Sequence, residues 1–311
     1  MKRKNIFIIA ALGLFSAVGC LKENSGMQDF VSGDAFKVYV DIMDTRTVNE
    51  GLRTLWVEGD TINLFHIVGT RNDDASLWTN NGKFVMTDVA ANEFTGELGG
   101  TLAEGTSYYW HALYPYNAAF TDPSGLDEPF DDQLITIGHP NGGYATQKGN
   151  DSMAHLVGQY CPLYGVSSTS GSAAPMFIMH QMAAVVAVEV TNGSSAPLEV
   201  SCVKFESSVE NLVGTFAIDF GWVGSGFGST YLFRRPWDAS KQATLKVEEN
   251  DPIPVGETAT FYIPMIAVEL PGNSSIKLTV NDFVKELRLT APLHLYSGKL
   301  RPVTVTVTEN S

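Results

Sequence analysis

The chain has 311 residues, of which 44% are hydrophobic and 17% charged, and its formal net charge at pH 7 is −14. A strongly acidic surface repels phosphate groups, so this charge argues against nucleic acid as a partner. The hydrophobic content is sufficient for two cores of ordinary domain size.

Residues 1–19 have the features of a signal peptide. Three basic residues at 2–4 precede an apolar stretch at 6–18, which is shorter than the roughly 20 residues that a transmembrane helix needs. Residues 17–20 resemble the lipobox, a signal in which the cysteine is acylated, for example with palmitate. This resemblance predicts a lipoprotein whose lipid is attached to Cys20. The alternative is an ordinary cleaved signal followed by an unmodified cysteine.

Residues 20–34 are then predicted to form a lipidated tether. The run at 21–24 resembles the short signal that directs lipoproteins of Bacteroidales to the outer face of the outer membrane. Removal of the signal peptide deletes three positive charges, so the formal net charge moves from −14 to −17. Such a surface has little attraction for anionic lipid, and we expect the acyl chains to hold the protein on the membrane.

Alternation of apolar with other residues is the dominant pattern beyond the tether. The first predicted strand has four side chains on one face: Phe36, Val38, Val40 and Ile42. The segment 303–307 alternates valine with threonine near the other end. A period of two is typical of half-buried strands. Short β-rich runs separated by Gly, Asn, Asp and Pro clusters continue between these segments, which predicts an all-β protein built of sandwiches.

Two domains are predicted from one small and polar segment. Residues 166–175 are mostly serine, threonine, glycine and alanine, a composition typical of flexible linkers. They would join an N-terminal β-sandwich at 35–165 to a C-terminal β-sandwich at 176–311.

Catalytic and metal-binding patterns are weak throughout the sequence. Six histidines are scattered singly, so no zinc site is predicted. Ser201 and Lys204 have the spacing of a serine-lysine pair, but they lie in an alternating strand rather than one helical turn apart. The glycine-rich run at 224–228 precedes no helix that could hold a phosphate. We therefore expect no enzymatic activity and no cofactor.

Three further features each allow two interpretations. Five carboxylates between Asp122 and Asp132 could bind calcium, although a solvated loop is favoured. The aromatic run at 108–116 could stack on sugars, although core packing is favoured. Cys161 and Cys202 could form a disulfide in an exported protein. We favour Cys202 as a small core residue, because it continues the parity of the preceding apolar positions.

Several segments resemble landmarks of the fimbrillin family, whose members build type V pili in Bacteroidales. The most specific is LWVEGDTINLF at 55–65, preceded by Thr-Arg-Thr at 45–47. Others follow in the family's order, and together they cover nearly the whole predicted mature chain. They lie at 94–98, 109–116, 177–183, 261–264 and 296–300.

The resemblance implies two tandem transthyretin-like β-sandwiches and a mode of assembly. In the family a protease cuts after a basic residue beyond the first strand, and another subunit donates a strand to the vacated groove. Carried onto this sequence, the cut is expected after Arg46, with Arg53 as the alternative. Removal of the first strand would expose its apolar groove and unpaired backbone groups.

The implied partners are other fimbrial subunits, the maturing protease, the outer membrane and a surface ligand of host or bacterial origin. The implied location is the outer membrane surface and the fimbrium. Only residues 309–311 follow the last predicted strand, so we expect a tip or accessory subunit that receives a strand without donating one. The alternative is that the strand at 303–307 is itself the donor. A surface glycan-binding lipoprotein is the alternative function.

Overall fold

The structure is a computed structural model that describes residues 35–42, 56–69, 77–118, 134–156, 158, 160–218, 233–236 and 238–308. These residues form β-strands joined by turns, with a single turn of 3-10 helix at Ala154–Leu156. The predicted all-β class is confirmed. Among the described residues there is no helix with the length and apolar character needed to cross a membrane.

Twenty strands are numbered here in chain order. The first ten are β1 Phe36–Ile42, β2 Thr61–Val68, β3 Thr79–Asp88, β4 Glu93–Gly96, β5 Ser107–Tyr114, β6 Leu134–Ile137, β7 Ala145–Lys148, β8 Leu163–Ser170, β9 Met176–Gln181 and β10 Ala183–Asn192. The second ten are β11 Cys202–Ser207, β12 Gly214–Ile218, β13 Phe233–Pro236, β14 Gln242–Glu248, β15 Thr258–Ile266, β16 Val268–Leu270, β17 Ser275–Val280, β18 Phe283–Arg288, β19 Leu293–Leu295 and β20 Leu300–Val307.

The first structural unit is a seven-stranded sheet that closes on itself. Its strand order is β1-β4-β3-β2-β5-β8-β9, and β1 returns to pair with β9. The pairing of β1 with β4 is antiparallel, whereas its pairing with β9 is parallel. Alternate side chains of these strands fill the interior, which is rich in aromatic rings such as Phe84, Phe94 and Trp110.

The second unit is a β-sandwich. One sheet has the order β15-β10-β20, and the facing sheet has the order β18-β17-β11-β14-β7. Side chains from both sheets form one shared apolar core, for example Val188 and Phe261 from the first and Phe205 and Leu278 from the second. The remaining strands form two smaller sheets, with the orders β13-β12-β6 and β16-β19.

Strand β10 lies between two apolar clusters, and both of its faces are buried. Ala184 and Val186 point into the sandwich core, while Ala183 and Val185 belong to a third apolar cluster. That cluster also contains Phe65 from the outer face of the closed sheet. A strand that is covered on both faces reads as a continuous apolar run, as residues 183–188 do.

The predicted linker at 166–175 is wrong, because residues 163–170 form β8 and pair with β5 along its whole length. The small residues there are explained by their neighbours. A side-chain carbon on Gly165 would lie 2.6 Å from the Met179 sulfur. Thr169 accepts a hydrogen bond of 2.8 Å from the Trp110 indole. Small side chains are needed where a strand lies beside large aromatic residues, and they do not here indicate a flexible segment.

The predicted boundary between 35–165 and 176–311 also differs from the observed division of strands. Strand β9 lies beyond the boundary in sequence, yet it closes the first sheet by pairing with β1. Strands β6 and β7 lie before the boundary, yet they pair with β12 and β14. Pairing between strands distant in sequence leaves no local compositional signal, so the alternation alone could not reveal it.

Among the described residues Cys161 and Cys202 are free thiols, and Cys202 does not lie in the core as predicted. Val200 is buried, but Asn281 accepts hydrogen bonds from the backbone N–H groups of Ser201 and Cys202, where β11 begins. The alternation of buried side chains therefore starts again at Val203, and Cys202 is only half-buried. Cys161 is fully buried in the cluster between the units, and this burial raises the pKa of its thiol.

His139 connects the segment after β6 to the second unit through hydrogen bonds that require its neutral form. Its Nδ1 donates to the Pro140 carbonyl at 2.8 Å, so Nε2 is the acceptor for the Thr244 backbone N–H, also at 2.8 Å. Burial lowers the pKa of His139 below its ordinary value of 6.5. Protonation of Nε2 would place two N–H groups against each other and break the bond to Thr244.

We predict that stability falls when the pH drops below about 6.5, where the unfolded chain takes up a proton on this histidine before the folded chain does. Urea unfolding at pH 7.5 and pH 5.5 measures the loss. The variant His139→Gln can keep both hydrogen bonds without titrating, so it should show a smaller difference between the two pH values. An unchanged difference in His139→Gln would contradict this role.

Candidate functional site

Strand β1 lies between two strands and satisfies the backbone of both. Its amino-terminal half pairs with β4, from Phe36 opposite Gly96 to Tyr39 opposite Glu93. Its carboxyl-terminal half pairs with β9, ending with Ile42 opposite Met179. Removal of β1 would therefore leave unpaired backbone groups along both β4 and β9, which is an unfavourable surface in water.

The inward side chains of β1 fill the interior of the closed sheet. Phe36, Val38 and Val40 are each no more than 2% exposed, and Ile42 packs against the margin of the same cluster. These are the four side chains that the alternation predicts on one face. Burial of three such side chains contributes roughly 1.5–3 kcal/mol each to stability.

Phe36 occupies an aromatic site at one end of this row. Its ring stacks on Trp110 with a centroid distance of 5.6 Å and an interplanar angle of 16°. The edge of Phe84 completes the site, with a centroid distance of 6.4 Å and an angle of 90°. The three rings are in two preferred aromatic geometries, offset stacking and edge-to-face packing.

Trp56 holds the other end of β1 through its backbone. The indole N–H donates a hydrogen bond of 2.6 Å to the Val40 carbonyl. The ring is buried, and it packs nearly perpendicular to Phe94 and Tyr114 at centroid distances of 5.0 and 5.1 Å. The sequence indicated Trp56 only as a family landmark, because a hydrogen bond to a strand 16 residues away has no signature in spacing.

The turn after Trp56 is fixed by Asp60. One carboxylate oxygen accepts the Val57 backbone N–H at 2.9 Å, and the other accepts the Tyr114 hydroxyl at 3.1 Å. Burial, together with this carboxylate, raises the pKa of Tyr114 to about 12. The hydroxyl therefore stays protonated at neutral pH and keeps Tyr114 in place against Trp56.

The outer face of β1 is partly polar. Lys37 forms an ion pair of 3.1 Å with Glu93 on β4, and this hydrogen bond raises the pKa of the lysine. On β9, Met176 and Ile178 are more than half exposed beside the outer side chains of β1. The two faces of β1 thus differ in character, and only the inner one is uniformly apolar.

Several predicted site residues lie outside the described residues, and their predictions remain untested. These are the lipid-bearing Cys20, the cleavage sites Arg46 and Arg53, the carboxylates from Asp122 to Asp132 and the glycines at 224–228. The aromatic run at 108–116 is described, and most of its side chains in β5 are buried. Ser201, one residue of the Ser-x-x-Lys pattern, donates a hydrogen bond from its hydroxyl to the side-chain oxygen of Asn281 at 3.0 Å.

The last strand, β20, is part of the second unit. It pairs in parallel with β10 over eight positions from Leu300 to Val307. Val305 and Val307 are buried in the sandwich core, and Val303 packs against it. Strand β20 is at the edge of its sheet, whereas β1 lies between two neighbours.

Comparison with solved structures identifies the fold. A candidate cell adhesion protein from Bacteroides ovatus matches 89% of this chain and 94% of its own, with a TM-score of 0.56 and 15% sequence identity. The chain shares the fold of this candidate adhesion protein. The shared fold agrees with the resemblance to the fimbrillin family.

Two more distant structures are also candidate cell adhesion proteins. One from Bacteroides uniformis is 11% identical, with a TM-score of 0.48 and coverage of 90% of this chain and 95% of its own. One from Bacteroides fragilis is 12% identical, with a TM-score of 0.43 and coverage of 89% and 92%. No family model and no curated protein matches the sequence.

We predict that Phe36→Ala lowers the free energy of unfolding of the intact protein by about 3–5 kcal/mol, because it leaves a cavity between Trp110 and Phe84. Tyr39→Ala is the matched control, since it removes an aromatic ring from the outer face of the same strand. We expect it to cost less than about 1 kcal/mol. Equal losses in urea unfolding would show that Phe36 has no special role.

Proposed function

We propose that this protein is a fimbrial subunit that functions in surface adhesion and receives a strand from another subunit in place of β1. The observation that carries the proposal is the position of β1. It lies between β4 and β9 and fills the closed sheet with three buried side chains. The chain that joins it to Trp56 contains Arg46 and Arg53, the two expected cleavage sites.

Cleavage at either arginine would turn β1 from a covalently connected strand into a separate segment. The Val40 carbonyl of β1 accepts a hydrogen bond from Trp56, and Trp56 follows both arginines in the sequence. Loss of the strand would leave a groove with two unpaired edges and an apolar floor. A strand from another subunit restores both sets of contacts, which is the physics of β-augmentation.

We also propose a tip or accessory position for the subunit. Strand β20 supports this assignment, because it is paired with β10 and buries valines in the sandwich core. A strand that completes its own fold is not a spare strand for a neighbour. The two structural units would correspond to the two transthyretin-like sandwiches that the family resemblance implies. The role is one of assembly and adhesion rather than of catalysis.

Binding of a surface glycan is the second candidate function, and one surface feature favours it. His294 and Tyr296 stack with an interplanar angle of 4°, and Tyr296 is 54% exposed. Lys299 and Arg301 line the same shallow pocket. Exposed aromatic rings can pack against sugar rings, and the two cations would suit an acidic sugar.

The lipid anchor is a proposal that concerns the residues before β1. Acylation of Cys20 would hold the precursor on the outer membrane until proteolysis separates the body from the anchored segment. Labelled fatty acid should be incorporated by the native chain and by Cys202→Ala, a control that removes a half-buried thiol. Cys20→Ala should not be labelled, and persistent labelling of that variant contradicts the proposal.

We predict that protease treatment together with the other fimbrial subunits yields detergent-resistant ladders that contain this chain. A double variant, Arg46→Ala with Arg53→Ala, should form no ladder. Arg288→Ala is the matched control, because Arg288 is an exposed arginine on β18, and it should assemble normally.

The other outcomes separate the alternatives. Ladders from the double variant contradict cleavage at these arginines. A long homopolymer formed by the processed protein alone contradicts the tip assignment. Retention on immobilised acidic sugar without any ladder would favour the glycan-binding function.

A further inference from the structure

We infer that the β1 groove selects its occupant by an aromatic side chain at the Phe36 position, and that Trp56 helps to fix the occupant's register by binding the backbone carbonyl at the Val40 position. The inference rests on the proposed strand exchange and adds the chemistry of the partner strand. It commits to a partner segment with the pattern aromatic, x, β-branched, x, β-branched. This is the pattern of residues 36–40 themselves.

The Phe36 site requires a ring because rings form its walls. Phe36 is 2% exposed, with Trp110 stacked on one face and the edge of Phe84 nearby. An aliphatic side chain would leave a void between these rings, and a void forfeits dispersion contacts as well as apolar burial. A charged side chain would have to be desolvated there, and the two wall rings offer no hydrogen-bond acceptor for it.

Trp56 recognises the backbone and is independent of the occupant's side chain. When β1 leaves, the indole N–H loses the Val40 carbonyl as its acceptor. The ring remains confined by Phe94 and Tyr114, and Tyr114 is itself held by Asp60. A buried donor that has lost its acceptor is costly, so an occupant that presents a carbonyl at this position is favoured. This contact disfavours a shift by one residue, which would also turn the occupant's apolar face outward. A shift by two residues is disfavoured by the Phe36 site instead.

The chain's own β20 fits these requirements poorly. If Val303, Val305 and Val307 took the places of the last three inward residues of β1, Arg301 would enter the aromatic site. If the strand were shifted by two residues, Val303 would occupy the aromatic site and leave it underfilled, and Glu309 would replace Ile42. The groove therefore discriminates against β20 of a second copy of this chain and favours a strand of a different subunit with an aromatic anchor.

Peptide exchange into the full chain tests the inference directly. A specific protease site inserted between residues 43 and 55 is cut in the presence of excess fluorescent peptide. The peptides are residues 36–42, the same peptide with Phe36→Ala or Phe36→Arg, and residues 301–307. We expect the native peptide to bind at least about a hundredfold more tightly than the other three.

Trp56 is tested by the rate at which the native peptide leaves the groove. Trp56→Phe keeps a ring between Phe94 and Tyr114 but lacks the N–H, so peptide dissociation should be roughly three- to tenfold faster. Trp78→Phe is the matched control. It removes a buried indole from the cluster between the two units, where Trp78 packs on Tyr109 and His111. The control should leave dissociation unchanged.

The outcomes distinguish the inference from the function on which it rests. If the cut protein exchanges β1 for no peptide, the proposed strand exchange fails. If it exchanges β1 but binds the Ala, Arg or 301–307 peptide as tightly as the native one, aromatic selection is overturned. If Trp56→Phe and Trp78→Phe release the native peptide at equal rates, the role of Trp56 is overturned.

Discussion

Two sheet edges, those of β4 and β9, are satisfied by the same seven residues of β1. The antiparallel and parallel pairings overlap at Tyr39, where the strand passes from one neighbour to the other. The inner face of the strand supplies the apolar side chains that the closed sheet needs. Backbone pairing and core packing in the first unit therefore depend on one short segment, which residues 43–55 join to Trp56.

The second unit and the apolar cluster between the two units do not depend on β1. The outer face of the closed sheet packs on the cluster that includes Phe65, Ile137 and Val185. Strand β10 carries that cluster on one face and the sandwich core on the other. Gln147, from β7, bonds the backbone of β15 at Thr260 and Tyr262. These contacts do not involve β1, so exchange of β1 would leave the framework that holds β10 and β15 in place.

Sequence reasoning predicted the parts of this structure that depend on local alternation. The four inward residues of β1 and the strand nature of 303–307 follow from the period of two, because side chains alternate between the faces of a strand. Core packing of the aromatic run follows from the same rule. The fold class needed nothing more than these patterns.

Features that depend on distant pairing were not predicted. The segment at 166–175 was interpreted as a linker, although residues up to 170 belong to β8 and Thr169 accepts a hydrogen bond from Trp110. The parity of Cys202 was misjudged because Asn281 binds the backbone where β11 begins, and the alternation of buried residues starts again at Val203. The contact of Trp56 with Val40 is invisible in the sequence for the same reason, since its partner is chosen by the fold and not by spacing.

Strand β1 closes the first sheet, and we propose that it can be lost without unfolding the body. Hydrogen exchange of backbone amides, followed by mass spectrometry before and after a cut between residues 43 and 55 and removal of β1, tests it most directly. The account predicts faster exchange in β4 and β9 and unchanged protection in β10 and β15, which pair with each other outside the closed sheet. Equal acceleration in all four strands, or no change in any, would contradict the claim.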